Sequence, residues 1–247
     1  MTTRRLEGLS VVLPALNEQG NVGRAVEAVR AAGRRLADQV EVIVVDDGST
    51  DGTVAEARQT GARVVSHESN RGYGAALRSG FAAARHPWIF QMDCDNQFDP
   101  EELPKLVSLA DEAQLVIGIR AARADQWRRI WAGWAWNQLC RLAFGFIVHD
   151  VDCGFKLLNR AAVGALDLGC NGAGISLELC VAARSAGFRI AEVEVHHSPR
   201  TTGAPTGLRW RVVVRGLYEL YRLRLRYARR ASRLPVPTTS MKAQAHQ

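Results

Sequence analysis

The chain has 247 residues, 47% of them hydrophobic and 23% charged, which excludes disorder as its main state and leaves one large α/β domain or two small ones. Its five cysteines are odd in number and form no CxxC pair, which excludes a disulfide scaffold, a zinc ribbon and a thioredoxin-type site, and they read as reduced thiols of a cytosolic protein. The net charge of +7 is uneven: Arg209–Arg233 holds nine arginines and one glutamate, so the rest of the chain is near neutrality.

In chain order, residues 1–8 read as an extension. Pro14 breaks the apolar run that a signal peptide would need. Leu9–Pro14 is an expected strand, Gly20–Leu36 a helix, and Val40–Asp46 a strand buried on both faces. A helix near Asp51–Thr60, a strand Ala62–Ser66, a helix Gly72–Arg85 and a strand Trp88–Met92 follow. Another helix starts at Pro100, and Leu115–Ile119 is a strand. Such alternation implies a mostly parallel sheet with helices on both faces and every strand C-terminus on one edge. Beyond it, Asp125–Phe146 looks helical and carries four tryptophans. Phe155–Leu158 and Phe188–Val195 read as strands, Ile175–Ala186 as a helix, and His196–Gly207 as a loop. Leu208–Arg230 is a long helix, and Leu234–Gln247 a polar, disordered tail. No segment has the run of about eighteen apolar residues of a spanning helix.

In that last helix, Trp210, Val214, Leu217, Tyr221 and Leu225 recur on one face, while Arg211, Arg215, Arg222, Arg226 and Arg229 follow another. Two readings stay open. The helix lies on an anionic membrane surface, or it packs on the core with a solvated arginine face. The tryptophans, Trp127 to Trp136, are interfacial or core on the same two readings.

Acidic and polar groups cluster at the ends of successive strands: Asn17-Glu18, then Asp46-Asp47, then Asp93-x-Asp95. Carboxylates gathered on one edge repel each other unless something positive binds there. A divalent cation with a diphosphate ligand meets that need, since hard cations take oxygen ligands and bridge carboxylates to phosphates. Alone, a DxD is a capped turn, and VVDDGSTDGT is a strand, a turn and a helix N-cap. Neither bland reading explains three acidic strand ends together. Asn70-Arg71-Gly72-Tyr73-Gly74 resembles a phosphate-binding turn only loosely. His196 and His197, adjacent on a strand, point to opposite faces, so at most one faces the site.

LPALNE, VVDDGSTDGT, NRGYGAALRSGF, MDCDNQFDPEEL and DVDCGFKLLNR occur in the order and at spacings like those of family 2 glycosyltransferases. Within that family they resemble dolichol-phosphate mannosyltransferase and bacterial polyprenyl-phosphate hexosyltransferases, over about Leu9 to Leu220. The resemblance implies a GT-A fold: a catalytic domain over 9–207 (nucleotide-sugar part 9–120, acceptor part 121–207), then a basic amphipathic helix over 208–233. It implies that Pro14, Leu16 and Glu18 line the nucleotide pocket, and that Val45 and Asp47 hold the base. Asp93, Asp95 and Gln97 match the metal and diphosphate motif, for Mg²⁺ or Mn²⁺. Arg120 matches a basic residue of the donor-sugar pocket, Lys156 stands where an arginine is common, and Glu178 matches an acid near the sugar. Arg200 matches the arginine of a loop closing over the diphosphate, but the lysine that follows in the mannosyltransferases is absent from Gly203–Thr206. The implied activity is inverting transfer of a hexose from a GDP- or UDP-sugar to polyprenyl phosphate, on the cytoplasmic side, with the enzyme peripheral on the membrane. A soluble acceptor is the alternative, and oligomeric state is left open. Leu177-Glu178-Leu179 offers one acid where hydroxyl-accepting relatives often carry two, which favours a phosphate acceptor that needs no general base. A nucleotidyltransferase would need a Gly-rich basic loop after the first strand. A nucleic-acid-binding protein would leave the acidic strand ends unexplained. An inactive sugar-nucleotide-binding scaffold is disfavoured by the intact DxD.

Overall fold

The computed structural model describes residues 5–123, 127–145, 147–199 and 210–231. The chain runs β1 (Leu6–Ala15), α1 (Val22–Leu36), β2 (Ala37–Asp46), α2 (Thr53–Gln59), β3 (Arg63–Ser66), α3 (Tyr73–Ala83) and β4 (Trp88–Gln91). A 3₁₀ turn at Pro100–Glu102 leads into α4 (Leu103–Val107), then β5 (Leu115–Arg123), α5 (Trp127–Phe144), β6 (Lys156–Asn159), α6 (Arg160–Gly164), α7 (Ile175–Ser185), β7 (Ile190–His197) and α8 (Trp210–Ala231).

The seven strands form one sheet in the order β3-β2-β1-β4-β6-β5-β7. β1 pairs in parallel with β2 and β4, and β2 with β3. β6 departs from the parallel expectation: it runs antiparallel between β4 and β5. β5 and β7 are again parallel. The strand order reverses beside β1, with β2 on one side and β4 on the other. That is where an open α/β sheet splays its C-terminal loops apart and leaves a crevice.

The central strands are buried on both faces, as their apolar runs require: Leu9, Val11, Val12 and Leu13 of β1, Val42–Val45 of β2, Ile89 and Phe90 of β4. Helix α1 covers one face with Val22, Ala25, Val26, Val29, Ala32 and Leu36, spaced by three and four residues. Beyond β4, Phe155 packs edge-on against Phe90 with ring centroids 4.8 Å apart and against Phe98 at 5.5 Å. Each such fully buried side chain contributes about 1.5–3 kcal/mol of transfer free energy.

Several boundaries differ from the expected ones. β1 starts at Leu6, so residues 6–8 belong to the sheet and not to an extension. β2 follows α1 without a loop. The helix after Pro100 is broken in two: Asp99 caps the 3₁₀ turn by accepting from the Glu101 N–H at 2.9 Å, and Pro104 then restarts the chain as α4. Helix α6 was not expected; Asn159 caps it, accepting from the Ala162 N–H at 3.1 Å. β7 starts two residues later than expected, at Ile190, because Phe188 is still in the turn that closes α7, and it runs two residues further, to His197, where it still pairs with Arg123 of β5. The tail from 234 lies outside the described residues.

Candidate active site

The site is assembled from the loops that leave β1, β2 and β4. The first two are stitched to each other. The Asn17 N–H donates to Ser49 Oγ at 2.9 Å, and Asn17 Oδ1 accepts from the Thr50 N–H at 2.9 Å. The Glu18 N–H donates to Thr53 Oγ1 at 2.8 Å, and Gln19 Oε1 accepts from the Gly52 N–H at 2.8 Å. Glu56 of α2 accepts from the N–H groups of Gly20 and Gly23 at 2.6 and 2.8 Å. Asn17 needs a positive φ of 55°, which asparagine tolerates better than most residues.

The two carboxylates closing β2 have different tasks from the one expected. Asp46 accepts from the Ser49 N–H at 3.0 Å and so closes the turn. Asp47 is buried, and its oxygens accept from the Arg71 N–H at 2.9 Å, the Gly72 N–H at 2.8 Å and His67 Nδ1 at 2.7 Å. For a neutral His67 ring, the Nδ1 proton faces the carboxylate and Nε2 accepts from Ser79 Oγ at 2.9 Å. Asp47 therefore folds the 67–72 loop onto α3, where the resemblance implied a base-holding residue. Val45 is fully buried in β2, beside Pro14 of β1, and both side chains belong to the sheet core. Leu16 is exposed at the rim of the crevice.

The loop that Asp47 holds delivers Tyr73. At Gly72, φ is +104° and an added Cβ would lie 2.3 Å from the Asn171 carbonyl oxygen, so glycine alone fits this approach of two loops. The Tyr73 hydroxyl donates to Asp93 Oδ1 at 2.8 Å and accepts from Gln91 Nε2 at 3.1 Å. Burial, then the charge of Asp93, pushes the phenol well above its ordinary pKa, so it stays a donor. On the other side, an added Cβ at Gly154 would meet Asp93 Oδ2 at 2.2 Å. Asp93 is thus pressed between Tyr73 and the Gly154 backbone.

Burial raises the Asp93 carboxyl above the ordinary carboxylate range; the Tyr73 bond and the charges of Lys156 and Arg120 oppose this, and Glu18 adds to it. Glu18, Asp93 and Asp95 all act on the buried Cys94 thiol between them, so the acids of β1 and β4 do converge. Asp95 accepts from the Gln97 N–H at 3.2 Å, across Asn96, whose φ is +56°. Among the described residues no group of three or more His, Cys, Asp or Glu side chains could by itself hold a metal ion. Asp93 and Asp95 are a pair of hard oxygen donors, the number a diphosphate-bound cation takes from a protein while phosphate oxygens and water complete its shell.

Four further site residues have partners that the sequence did not show. Lys156 is fully buried in β6, its ammonium donating to the Cys153 carbonyl, and acts on Asp93 as an internal counter-charge. Glu178 is buried in α7, where it accepts from the N–H groups of Gly169 and Cys170 at 2.8 and 2.7 Å and from Arg226 at 3.0 Å. That buried carboxylate holds a loop. Gln97 is buried, and its Nε2 donates to the Ser198 carbonyl at 3.0 Å while the Ser198 N–H returns a bond to its backbone at 2.8 Å. It therefore ties the acidic loop to the end of β7. Arg120 makes a two-pronged pair with Asp150, at 2.6 and 2.7 Å. Of the two histidines, His197 is buried with its ring 5.1 Å from Phe98, and His196 is exposed, on opposite faces of β7. Arg200 lies outside the described residues.

Tyr73, Asp150 and Asp152 were not among the expected site residues. Asp152 acts on both Tyr73 and Arg120. The signal was present, since Asp150-Val151-Asp152 is a second DxD and Tyr73 sits between the glycines of NRGYG.

Comparison with known proteins bears on family and fold. The model of the glycosyl transferase family 2 matches residues 10–166. Undecaprenyl-phosphate 4-deoxy-4-formamido-L-arabinose transferase of Serratia proteamaculans is 34% identical over 205 residues, 80% of this chain and 62% of that protein. The protein of the same name from Aeromonas hydrophila is 33% identical over 210 residues, 82% and 64% of the two chains. The chain thus spans just under two thirds of the length of these relatives. Among solved structures, glucosyl-3-phosphoglycerate synthase from Mycobacterium tuberculosis with uridine diphosphate superposes with a TM-score of 0.70 at 25% identity, over 88% of this chain and 80% of that one. The same enzyme with Mn²⁺, UDP-glucose and phosphoglyceric acid gives 0.68 at 25% identity, over 87% and 80%. The shared architecture is the α/β GT-A fold. With more than half its length matched in order, the chain belongs to glycosyl transferase family 2.

Proposed function

We propose that this chain is an inverting glycosyltransferase that moves a hexose from a UDP- or GDP-sugar to a polyprenyl phosphate, at a membrane surface. The observation that carries the reading is Asp93, held by Tyr73 and backed by Gly154, two residues from Asp95 at the mouth of the β1/β4 crevice. Residues 9–120 take the donor and 121–207 the acceptor side.

Asp93 and Asp95 fit a Mg²⁺ or Mn²⁺ ion through oxygen donors, and the ion supplies Lewis-acid stabilisation of the departing diphosphate. The chain's own residues do the positioning. Tyr73 fixes the rotamer of Asp93. Lys156 offsets part of the acidic charge from inside the sheet. Gln97 couples the acidic loop to Ser198 at the end of β7. The Arg120–Asp150 pair is rigid and charged, a suitable wall for the donor sugar. Glu178, committed to two backbone N–H groups and Arg226, is not available as a general base, which suits an acceptor already ionised.

The structural neighbours carry a soluble phosphorylated acceptor, phosphoglyceric acid, and this favours keeping a second reading in which the acceptor is soluble. One assay separates them: transfer from labelled UDP- and GDP-sugars to undecaprenyl phosphate or to 3-phosphoglycerate, with Mn²⁺ or with chelator. Label is expected in the lipid only, dependent on metal, and reduced at least a hundredfold by Asp95→Ala. Undiminished transfer by Asp95→Ala would overturn the site. Label in phosphoglycerate alone would select the second reading.

A further inference from the structure

Helix α8 is placed upside down for an ordinary packed helix. Val214, Leu217, Tyr218, Tyr221 and Leu225 form one stripe, and each is 44–59% or, at Tyr221, 61% exposed. The side half a turn away is buried and contains Leu223, Tyr227 and an acid, Glu219. So the core-packed reading of the apolar face is not the one the structure adopts.

The roll of the helix is fixed by bonds that burying the stripe would break. Glu219 accepts from the N–H groups of Gly172 and Gly174 at 2.8 and 2.9 Å. Arg226 pairs with Glu178 at 3.0 Å and with Asp167. Trp136 of α5 lies against Gly216, where an added Cβ would be 3.6 Å from the indole. Helix α5 repeats the pattern. Cys140 is buried on its inner side, while Trp131, Trp134 and Leu142 are exposed on the outer, Leu142 by 83%, and the two indoles touch edge-on at 5.5 Å.

Along the α8 stripe, Arg215, Arg222 and Arg226 line a hollow of about 530 Å³ together with Tyr218 and Leu225. Its two acids, Glu178 and Glu219, accept from backbone N–H groups and also pair with two of these arginines, Glu178 with Arg226 at 3.0 Å and Glu219 with Arg215 at 3.4 Å, so Arg222 carries the hollow's uncompensated charge. Arg222 lies 5.9 Å from the Tyr218 ring, and among the described residues no carboxylate pairs with it. Monomers seldom expose contiguous apolar patches of this kind without a partner for them.

We infer that the outer faces of α8 and α5 are a docking surface for an anionic lipid bilayer, with the apolar stripe and tryptophans in the acyl boundary and the exposed arginines beside the stripe, Arg222 and Arg224, on lipid phosphates. The charge decides between occupants. A second copy paired along the stripe would bring arginine flanks of one sign together in a dry interface, which is unfavourable. A bilayer offers apolar depth and negative headgroups side by side, which this stripe and flank match. Nucleic acid would satisfy the arginines and leave the stripe in water. The inference rests on the lipid-acceptor reading for its biological setting, but vesicles without acceptor test it separately.

The test is co-sedimentation of the full chain with phosphatidylcholine vesicles and with vesicles one-third phosphatidylglycerol, neither containing polyprenyl phosphate. Binding is expected to the anionic vesicles, weakened by salt and accompanied by a blue shift of tryptophan fluorescence. Leu217→Glu with Tyr221→Glu is expected to lower binding at least tenfold with an unchanged melting temperature, since both side chains are exposed. Arg222→Glu is expected to cost at least about fivefold, the effect of one surface charge. Equal binding by the double variant, absence of binding by the parent chain, or a solution dimer that the double variant dissociates would overturn the inference, as would duplex DNA competing fully with vesicles. UDP- and GDP-sugar binding followed by thermal shift reads the catalytic proposal independently. Vesicle binding without any nucleotide-sugar shift would sink the proposed activity and leave docking intact.

Discussion

Asp47 offers a direct test of how this site is built, because the resemblance and the structure assign it different work. In the structure its carboxylate receives three donors, from Arg71, Gly72 and His67 at 2.7–2.9 Å. Hydrogen bonds to a charged group contribute about 1.5–3 kcal/mol each, and the partners of a deleted acceptor pay a desolvation cost when buried. Arg71 is exposed and Gly72 half-buried, so water can replace part of what their N–H groups lose. The lower end of the range applies, and Asp47→Ala is expected to lose about 3–5 kcal/mol. Asp47→Asn keeps one acceptor oxygen for His67 and Arg71 but turns an amide donor toward the Gly72 N–H, and should lose about 2 kcal/mol. Urea unfolding at neutral pH measures both, and for a chain of this size the larger loss lowers the melting temperature by roughly 10 °C. Nucleotide affinity should fall as well, but only in step with the disordering of the 67–72 loop. An Asp47→Ala protein within about 1 kcal/mol of the parent, yet unable to bind nucleotide, would refute the structural role. It would restore the base-holding role that the motif implied.

Two further outcomes follow from the same contacts. Tyr73→Phe removes the hydroxyl that holds Asp93 and should cost about 1 kcal/mol of stability; the Mn²⁺ concentration for half-maximal transfer should rise several-fold, and an unchanged metal dependence would show that Tyr73 does not position Asp93. All five cysteines are buried. Burial pushes Cys140, Cys153, Cys170 and Cys180 up to about 12 and Cys94 well above its ordinary value. At pH 8 the folded protein should therefore react with a thiol reagent roughly a thousandfold more slowly than the urea-unfolded chain. The sign for stability follows: the thiols ionise in the unfolded chain from about pH 8.5 but in the folded one only near 12, so stability is full below 8.5 and falls between these values. Urea midpoints compared at pH 7.5 and 9.5 under reductant should drop, by an amount on the order of 1 kcal/mol per thiol.

The sheet was legible because its strands obey local rules. A run such as Val42–Val45 has no polar face to show to water, and the alternation with helices forces parallel pairing around β1. The antiparallel β6 was not legible, since a four-residue strand carries no direction. The convergence of Glu18, Asp93 and Asp95 could be read from strand ends alone. The partners of the other acids could not. Nothing near Asp47 in sequence announces His67, and nothing near Glu178 announces Arg226, because those contacts cross 20 and 48 residues. The burial of Lys156 was hidden for a similar reason: β6 lies inside the sheet between β4 and β5 with both faces covered, and that placement comes from strands distant in sequence. The orientation of α8 was the hardest. Its periodicity defines two faces and says nothing of which one the fold covers.

What separates structural from functional acids here is the number of backbone N–H groups each receives. Asp47, Glu56, Glu178 and Glu219 each take two, from loops that have no ladder of their own. Such carboxylates stand in for secondary structure, satisfying amides that would otherwise be left without acceptors. Asp93 is held differently: by a phenol, against a glycine, with an internal lysine supplying charge but no direct bond. A side-chain hydroxyl fixes its rotamer while leaving its charge undiminished, and burial makes that charge costly until a cation arrives. The motif residues that the family resemblance groups together as one site are in this way two sets. One set shapes the loops, and the other, centred on Asp93 and Asp95, carries an electrostatic demand that the proposed cation would meet. The same division explains α8, where the acid is buried on backbone N–H groups and the arginines, not the acids, are turned toward what lies outside.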